Sequence, residues 1–247
     1  MSAGFSSLPT FVSLAIALVA LNAIALGATV IARSWAQRAG VAGSSTIGAW
    51  ATAVGALCAV LFAFTIINLW NTFRDADANV DAQAVTVRMV ARDMAPSTLP
   101  ALRSYIAQTI EEWPILCSGG QSKGVDGALA NVERSAVPRT PAYGADLYAQ
   151  LAQLEQLRFT HLRYADERLP RDLWVALGAL SLALLAVLAL ALPESRAYHV
   201  ALMLVMGTAL AVLFWVASLL DYPFCGASSV HPTALMQALH ATALSDH

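Results

Sequence analysis

Charge is what this sequence has least of. Asp, Glu, Lys and Arg make up 12% of it against 58% apolar residues, a balance too oily for an ordinary soluble domain. The shortage is concentrated in four runs with no Asp, Glu, Lys or Arg: Phe11–Ile31, Ile47–Leu69, Leu173–Leu192 and His199–Leu220. Each has 20 to 23 residues, enough to cross a hydrocarbon core of about 30 Å at 1.5 Å per residue. Four transmembrane helices are therefore expected. The lack of carboxylates inside the runs argues against a proton-coupled pump or transporter. It leaves a channel open, because a pore can be lined by backbone, hydroxyls or apolar rings.

Catalytic and ligand-binding motifs are also missing. The chain has no GxxxxGK[ST], HExxH, CxxC or GxSxG, the patterns that would indicate a phosphate loop, a zinc protease, a redox pair or a nucleophile elbow. None of the five histidines, His161, His199, His231, His240 and His247, lies in the middle of an apolar run. No axial haem ligand is evident inside the bilayer. His231 and His240 are nine apart, a spacing that fits no compact metal motif. Glu111 and Glu112 are neighbours on a helix, point to different faces and make no acid/base couple; they read as solvated surface. The expectation is a non-catalytic protein with no metal and no cofactor. The first ten residues lack Lys and Arg, so they lack the charged start of a signal peptide, and the first apolar run is expected to be a retained helix.

What charge there is gathers in one place. Thirteen of the 16 acidic and 11 of the 14 basic residues lie between Trp70 and Asp172. That near-neutral segment argues against a nucleic-acid partner, which would want a basic face. The reading is an all-α, polytopic membrane protein with a helical extramembrane insertion between its second and third spans. Residues 1–72 hold the first two spans, 73–170 the insertion, 171–222 a transmembrane hairpin and 223–247 a tail.

The second run organises the chain. It continues without Gly or Pro into the polar, alanine-rich stretch that ends at Met94, so one helix from about Gly48 to about Arg92 is expected, half in lipid and half in water. Ala51, Gly55 and Ala59 are four apart on one face, a spacing that lets helix backbones approach. Phe62, Ile66 and Trp70 roughly continue that face. They read either as packing or as a hydrophobic constriction built from one such set per subunit. Asn22, in the first run, is expected to bond to a neighbouring helix.

In the insertion, Pro100 suits the first turn of a helix. Leu102, Tyr105, Ile106, Ile110 and Trp113 then share one face, and Pro114 is expected to end that helix. A short helix around Val125–Ser135 follows. From Asp146 a longer one carries a stripe of Leu147, Leu151, Leu154, Leu157 and Leu162. Asp221 closes the last span at the helix's negative end, unfavourable unless paired. Arg168 and Arg171 are the nearest candidate partners, and a solvated Asp221 is the alternative.

Two stretches carry a family likeness: Glu112-Trp113-Pro114 and Asp221-Tyr222-Pro223-Phe224-Cys225-Gly226, together with Asp81-Ala82, Leu169-Pro170 and Trp174. In their order between four spans, over roughly Ile47 to Pro232, they resemble the bestrophin-like bacterial membrane proteins, a domain family of unknown function. The resemblance implies no catalytic residues. It implies a likeness to bestrophins, pentameric anion channels whose second span lines a hydrophobic neck. The expected partners are therefore the lipid bilayer and further copies of the chain, or other membrane subunits. The chain departs from the pattern at Asp81, where Glu is expected, and at Cys117 and Cys225. The rival reading is an accessory or assembly subunit that docks through its insertion and conducts nothing.

Two arguments about sidedness conflict. The short loops carry Arg33, Arg38 and Arg196 against Glu194, which places them in the cytoplasm and the insertion and both termini outside the cell (inner) membrane. The likeness to bestrophins implies the opposite, as do Arg74, Arg163, Arg168 and Arg171 near the span ends. Cys58 reads as a packing residue inside the second span. Cys117 and Cys225 fall in loops on the insertion side. They are either free thiols or a disulfide, which persists only in an oxidising compartment. The expectation leans to an insertion facing outward.

Overall fold

Helix is the only regular structure among the described residues, as a chain with long uncharged runs requires: lipid offers the backbone no hydrogen-bond partners, so a span must satisfy its own. The computed structural model describes residues 10–39, 45–117, 120–191, 195–226 and 229–244. The uncharged start at residues 1–9, Glu194 and His247 lie outside them. Among the described residues nine α-helices follow in order: α1 (Thr10–Ala39), α2 (Ser45–Asp93), α3 (Leu99–Glu111), α4 (Trp113–Cys117), α5 (Lys123–Ser135), α6 (Gly144–Asp166), α7 (Arg171–Leu190), α8 (Arg196–Leu220) and α9 (Thr233–Leu244). Short 3₁₀ turns at Pro96–Thr98 and Pro141–Tyr143 precede α3 and α6.

Four of these, α1, α2, α7 and α8, contain stretches long and apolar enough to cross a membrane. Helix α2 runs 49 residues without a break, about 74 Å at 1.5 Å per residue. No glycine or proline interrupts it between Leu69 and Ala84, and the helix passes straight through that region.

The chain divides into two compact units. The first, Met1–Trp70 with Arg168–Asp221, holds the spans. In it α1 packs along α8 and against α7. Helices α1 and α8 pack tightly at Gly207, where an added Cβ would stand 3.0 Å from Asn22 Oδ1 and 3.3 Å from the Leu21 carbonyl. Asn22 Nδ2 donates there to Thr208 Oγ1 at 3.2 Å, the interhelical bond expected of it. The small face of α2 does not achieve such an approach: a Cβ on Gly55 would meet only Leu184 Cδ1, at 3.6 Å. Helix α2 instead meets α7 and α8 through side chains. Cys58 Sγ lies 4.0 Å from Ser181 Oγ, and Phe62 packs edge-to-face on Phe214 with ring centres 5.1 Å apart.

The second unit comprises Asn71–Glu167 and Tyr222–His247, so the tail packs with the insertion. Its core draws Val80, Val87 and Val90 from α2, Leu102 and Ile106 from α3, Val125 and Val132 from α5, Leu147 and Leu154 from α6, and Leu235 from α9. Pro114 departs from expectation. The break comes at Glu112, and Pro114 then sits in the first turn of α4, where its missing N–H leaves no bond unmade. The stripe on α6 also differs. Leu147, Leu151 and Leu154 are buried, but Leu157 and Leu162 are only partly so, and Arg158, His161 and Ala165 continue the buried line.

Candidate functional site

The motif residues Glu112, Trp113, Phe224 and the two loop cysteines, far apart in sequence, meet in the second unit. Glu112 is 1% exposed, so it is a core residue and not the solvated surface its neighbour Glu111 occupies. The end of α3 points it inward. There Arg158 of α6, 3% exposed, grips both carboxylate oxygens, with Nη2 at 2.8 Å from Oε1. The Ser122 amide gives Oε1 a further bond at 2.6 Å. Asp126, at the start of α5, sits 3.4 Å from the same guanidinium. Two carboxylates thus face one buried cation, and the Ser122 amide supports the Glu112 carboxylate, the arrangement that makes such a buried pair tolerable.

Next to this pair lies an aromatic stack. The His161 ring lies parallel to Phe224 with centres 4.8 Å apart. Trp113 stands edge-on to both, at 5.1 Å and 5.5 Å. The indole Nε1 of Trp113 donates to the Val230 carbonyl at 2.9 Å. Burial first, and then the neighbouring Arg158 charge, push the His161 pKa down to about 3. The imidazole is therefore neutral, and Gln83 Nε2 lies 3.1 Å from its Nδ1. Gln83 itself is fixed by Asn79 Oδ1 and the Leu157 carbonyl, at 3.1 Å and 3.0 Å.

The turn after α8 brings the second motif into place. Gly226 adopts φ 86°, a left-handed conformation open to glycine at little cost. The Val230 amide bonds back to the Pro223 carbonyl at 2.8 Å. Both Pro223 and Phe224 are buried. This turn sets Cys225 against Cys117 at the end of α4, with S–S 2.11 Å and Cα–Cα 5.0 Å. The described residues hold no cluster of three or more His, Cys, Asp or Glu able to bind a metal ion.

The remaining sites stand apart from this cluster. Asp221, in the first unit, is 4% exposed, which removes the solvated alternative. Its Oδ1 accepts from the Leu169 amide at 2.6 Å, tying the end of α8 to the chain entering α7. Burial raises its pKa, countered by that bond and by Arg168. Asp81 is exposed on α2. Of the suggested constriction residues, Phe62 is 1% exposed and faces α8, Ile66 is half-buried, and Trp70 is 50% exposed. Phe62 thus packs against Phe214 of its own chain. The exposed face of α2 lies on the other side of the helix, with Leu57, Val60, Phe64 and Ile67 at 60–69% exposure.

Three residues of the cluster escape a reading of the sequence: Gln83, Arg158 and His161. The signal for two of them is the spacing 147, 151, 154, 158, 161, 165, which carries the α6 stripe through an Arg and a His.

With this geometry in hand, comparison with known proteins gives a consistent answer. A sequence model of the Bestrophin-like domain matches residues 14–235. The chain belongs to the bestrophin-like family. Crystal structures of a bacterial bestrophin homologue from Klebsiella pneumoniae share its fold. One point variant superposes with TM-score 0.73 at 13% identity, over 94% of this chain and 99% of that one. A form solved by Zn-SAD phasing gives 0.72 at 13%, over 94% and 97%. Another variant gives 0.71 at 14%, over 96% and 97%. No curated protein matches the sequence. In this bestrophin-like protein the motif stretches around Trp113 and Phe224 therefore have a physical role, closing the core of the extramembrane unit.

Proposed function

We propose that this bestrophin-like protein is a subunit of a homo-oligomeric ion channel in which α2 faces the symmetry axis. One observation carries the reading. Positions 50, 53, 57, 60, 64, 67, 71, 74, 78, 81, 85, 88 and 92 of α2, alternately three and four apart, are all exposed. On a straight helix that spacing drifts by about 20° every seven residues, so it traces a slowly winding stripe that faces one axis when helices supercoil around it. Lipid would account for the apolar part, Trp50 to Ile67. It does not account for Val85 and Met89, in the water-soluble stretch, at 46% and 38% exposure. A central axis lined by α2 from every subunit accounts for both. The first part would supply a hydrophobic constriction from Leu57, Val60, Phe64 and Ile67, and the second a charged vestibule from Arg74, Asp81, Arg88 and Arg92. The channel activity that the family likeness implies agrees with such a lining. Ile66 and Trp70 border this face; Phe62 lies outside it.

Native mass spectrometry of the purified protein in mild detergent tests the assembly. A closed ring of identical chains that conducts in planar bilayers supports the reading. A monomer, or a stoichiometric complex with a different membrane protein, would favour the accessory-subunit alternative and overturn it.

We also infer that the insertion and tail lie outside the inner membrane. The short-loop arginines Arg33, Arg38 and Arg196 support it, and so does the disulfide between Cys117 and Cys225.

A further inference from the structure

We propose that Arg88, Arg92 and Arg139 form a binding site for a phosphate-bearing anion on the extramembrane unit. The three line a hollow of about 310 Å³ with Ala91, Ala241 and Thr242. Arg88 and Arg92 come from successive turns near the end of α2, Arg139 from the segment before α6, and the two small residues from the last turns of α9. Among the described residues, no carboxylate lines the hollow. The adjacent acid, Asp93, is 1% exposed and already engaged. Arg92 Nε and Gln150 Nε2 both reach it at 2.8 Å. The guanidinium groups of Arg88 and Arg139 make no hydrogen bond or ion pair to the described residues.

This placement is held from below. The Arg139 amide bonds to the Asp93 carbonyl at 2.8 Å, and Arg103 grips the Thr242 carbonyl at the rim. The negative ends of α2 and α9 each favour a cation. That favours one charge per helix end, whereas here three guanidinium groups line one small-residue hollow, of which Arg92 alone is paired, with Asp93. An oxyanion between them would balance the charge left on Arg88 and Arg139. The planar fork of arginine fits phosphate oxygens two at a time, which a point charge does not. Arg88 stands 18 residues beyond Trp70 on the same unbroken helix, about 27 Å along its axis. A soluble phosphate compound is therefore the ligand source, in preference to a lipid headgroup. The site does not depend on the channel reading and survives its failure.

The experiment is thermal unfolding of the full-length protein in a phosphate-free neutral detergent, titrated with potassium phosphate or with potassium chloride at matched ionic strength. Phosphate should raise Tm saturably, as a ligand of the folded state does, and chloride should not. The double variant Arg88→Ala with Arg139→Ala should bind about tenfold more weakly or worse, the loss expected for charged hydrogen bonds. Arg134→Ala, at an exposed position on α5, should respond as wild type. Identical phosphate and chloride curves would overturn the site, as would a folded double variant that keeps the wild-type response. Nanodiscs of phosphatidylglycerol or phosphatidylcholine form the second arm. Stabilisation by phosphatidylglycerol but not by free phosphate would overturn the assignment to a soluble anion.

Discussion

Glu112 and Arg158 bring opposite charges into an interior that excludes water, so neither is tolerable alone. Truncating one partner of a buried pair typically costs about 3–5 kcal/mol, because the other charge is left uncompensated. Arg158→Met should therefore destabilise the extramembrane unit by about that much in denaturant unfolding. Adding Glu112→Gln should recover a large part of the loss, since the stranded charge disappears with it. A double variant no better than the single would show that shape, not charge, sets the cost. His161 gives a pH signature. Its pKa falls from an ordinary value near 6.5 to about 3 on folding, so protonation favours the unfolded chain. Its contribution is complete above about pH 6.5 and declines as pH falls toward 3, by at most about 1.4 kcal/mol per unit. Asp93, held below its ordinary pKa chiefly by the Arg92 hydrogen bond, adds a loss that sets in at lower pH. In His161→Phe the decline between pH 6.5 and 5 should flatten. A slope there equal to wild type would exclude His161 as its source.

Helix α2 shows where an element's sequence is informative and where it is not. Its length and continuity follow from the absence of breakers, and the four spans follow from their lack of charge. Which face of the span packs does not follow. In lipid the outward side is as apolar as the inward one, so Phe62, Ile66 and Trp70 and the stripe through Leu57 and Phe64 look alike as text. Burial separates them. Phe62→Ala removes a buried ring set against Phe214 and should cost about 3–5 kcal/mol as a core truncation, lowering the yield of folded protein. Phe64→Ala and Ile67→Ala should leave yield unchanged and, with α2 at the axis, raise single-channel conductance. Normal yield for Phe62→Ala together with misfolding of Phe64→Ala would reverse the two faces. The motif cluster was hidden for another reason. Trp113 and Phe224 are visible as motif residues, but their meeting over His161 depends on how α3, α6 and the tail turn converge, which local pattern does not encode. Arg158 and His161 were hidden because they are polar residues on a stripe otherwise read by its leucines. The two loop cysteines leave a free-thiol and a bridged reading open in the sequence, and it is the turn around Gly226 that brings them together.

At the scale of the whole molecule, the Cys117–Cys225 link spans 108 residues. It fastens the tail turn to the α3–α4 corner within one unit. A bridge closing a loop of this length limits the unfolded chain by about 4–5 kcal/mol in the entropic model. Reduction should then lower the melting temperature of the extramembrane unit. The same bond bears on orientation, because a reducing cytosol does not preserve disulfides. Cys58, the third cysteine, is buried in the second span and contributes little background to surface labelling. A membrane-impermeant maleimide applied to outer-membrane-permeabilised cells therefore reads Cys117 and Cys225 almost alone. With the insertion outside and bridged, wild type should label only after an impermeant reductant. Cys225→Ser should leave the partly exposed Cys117 thiol to label without any reductant. Should both cysteines react only after the inner membrane is lysed, the insertion lies in the cytoplasm. The short-loop arginines would then have been outweighed by those at the span ends, Arg74, Arg163, Arg168 and Arg171.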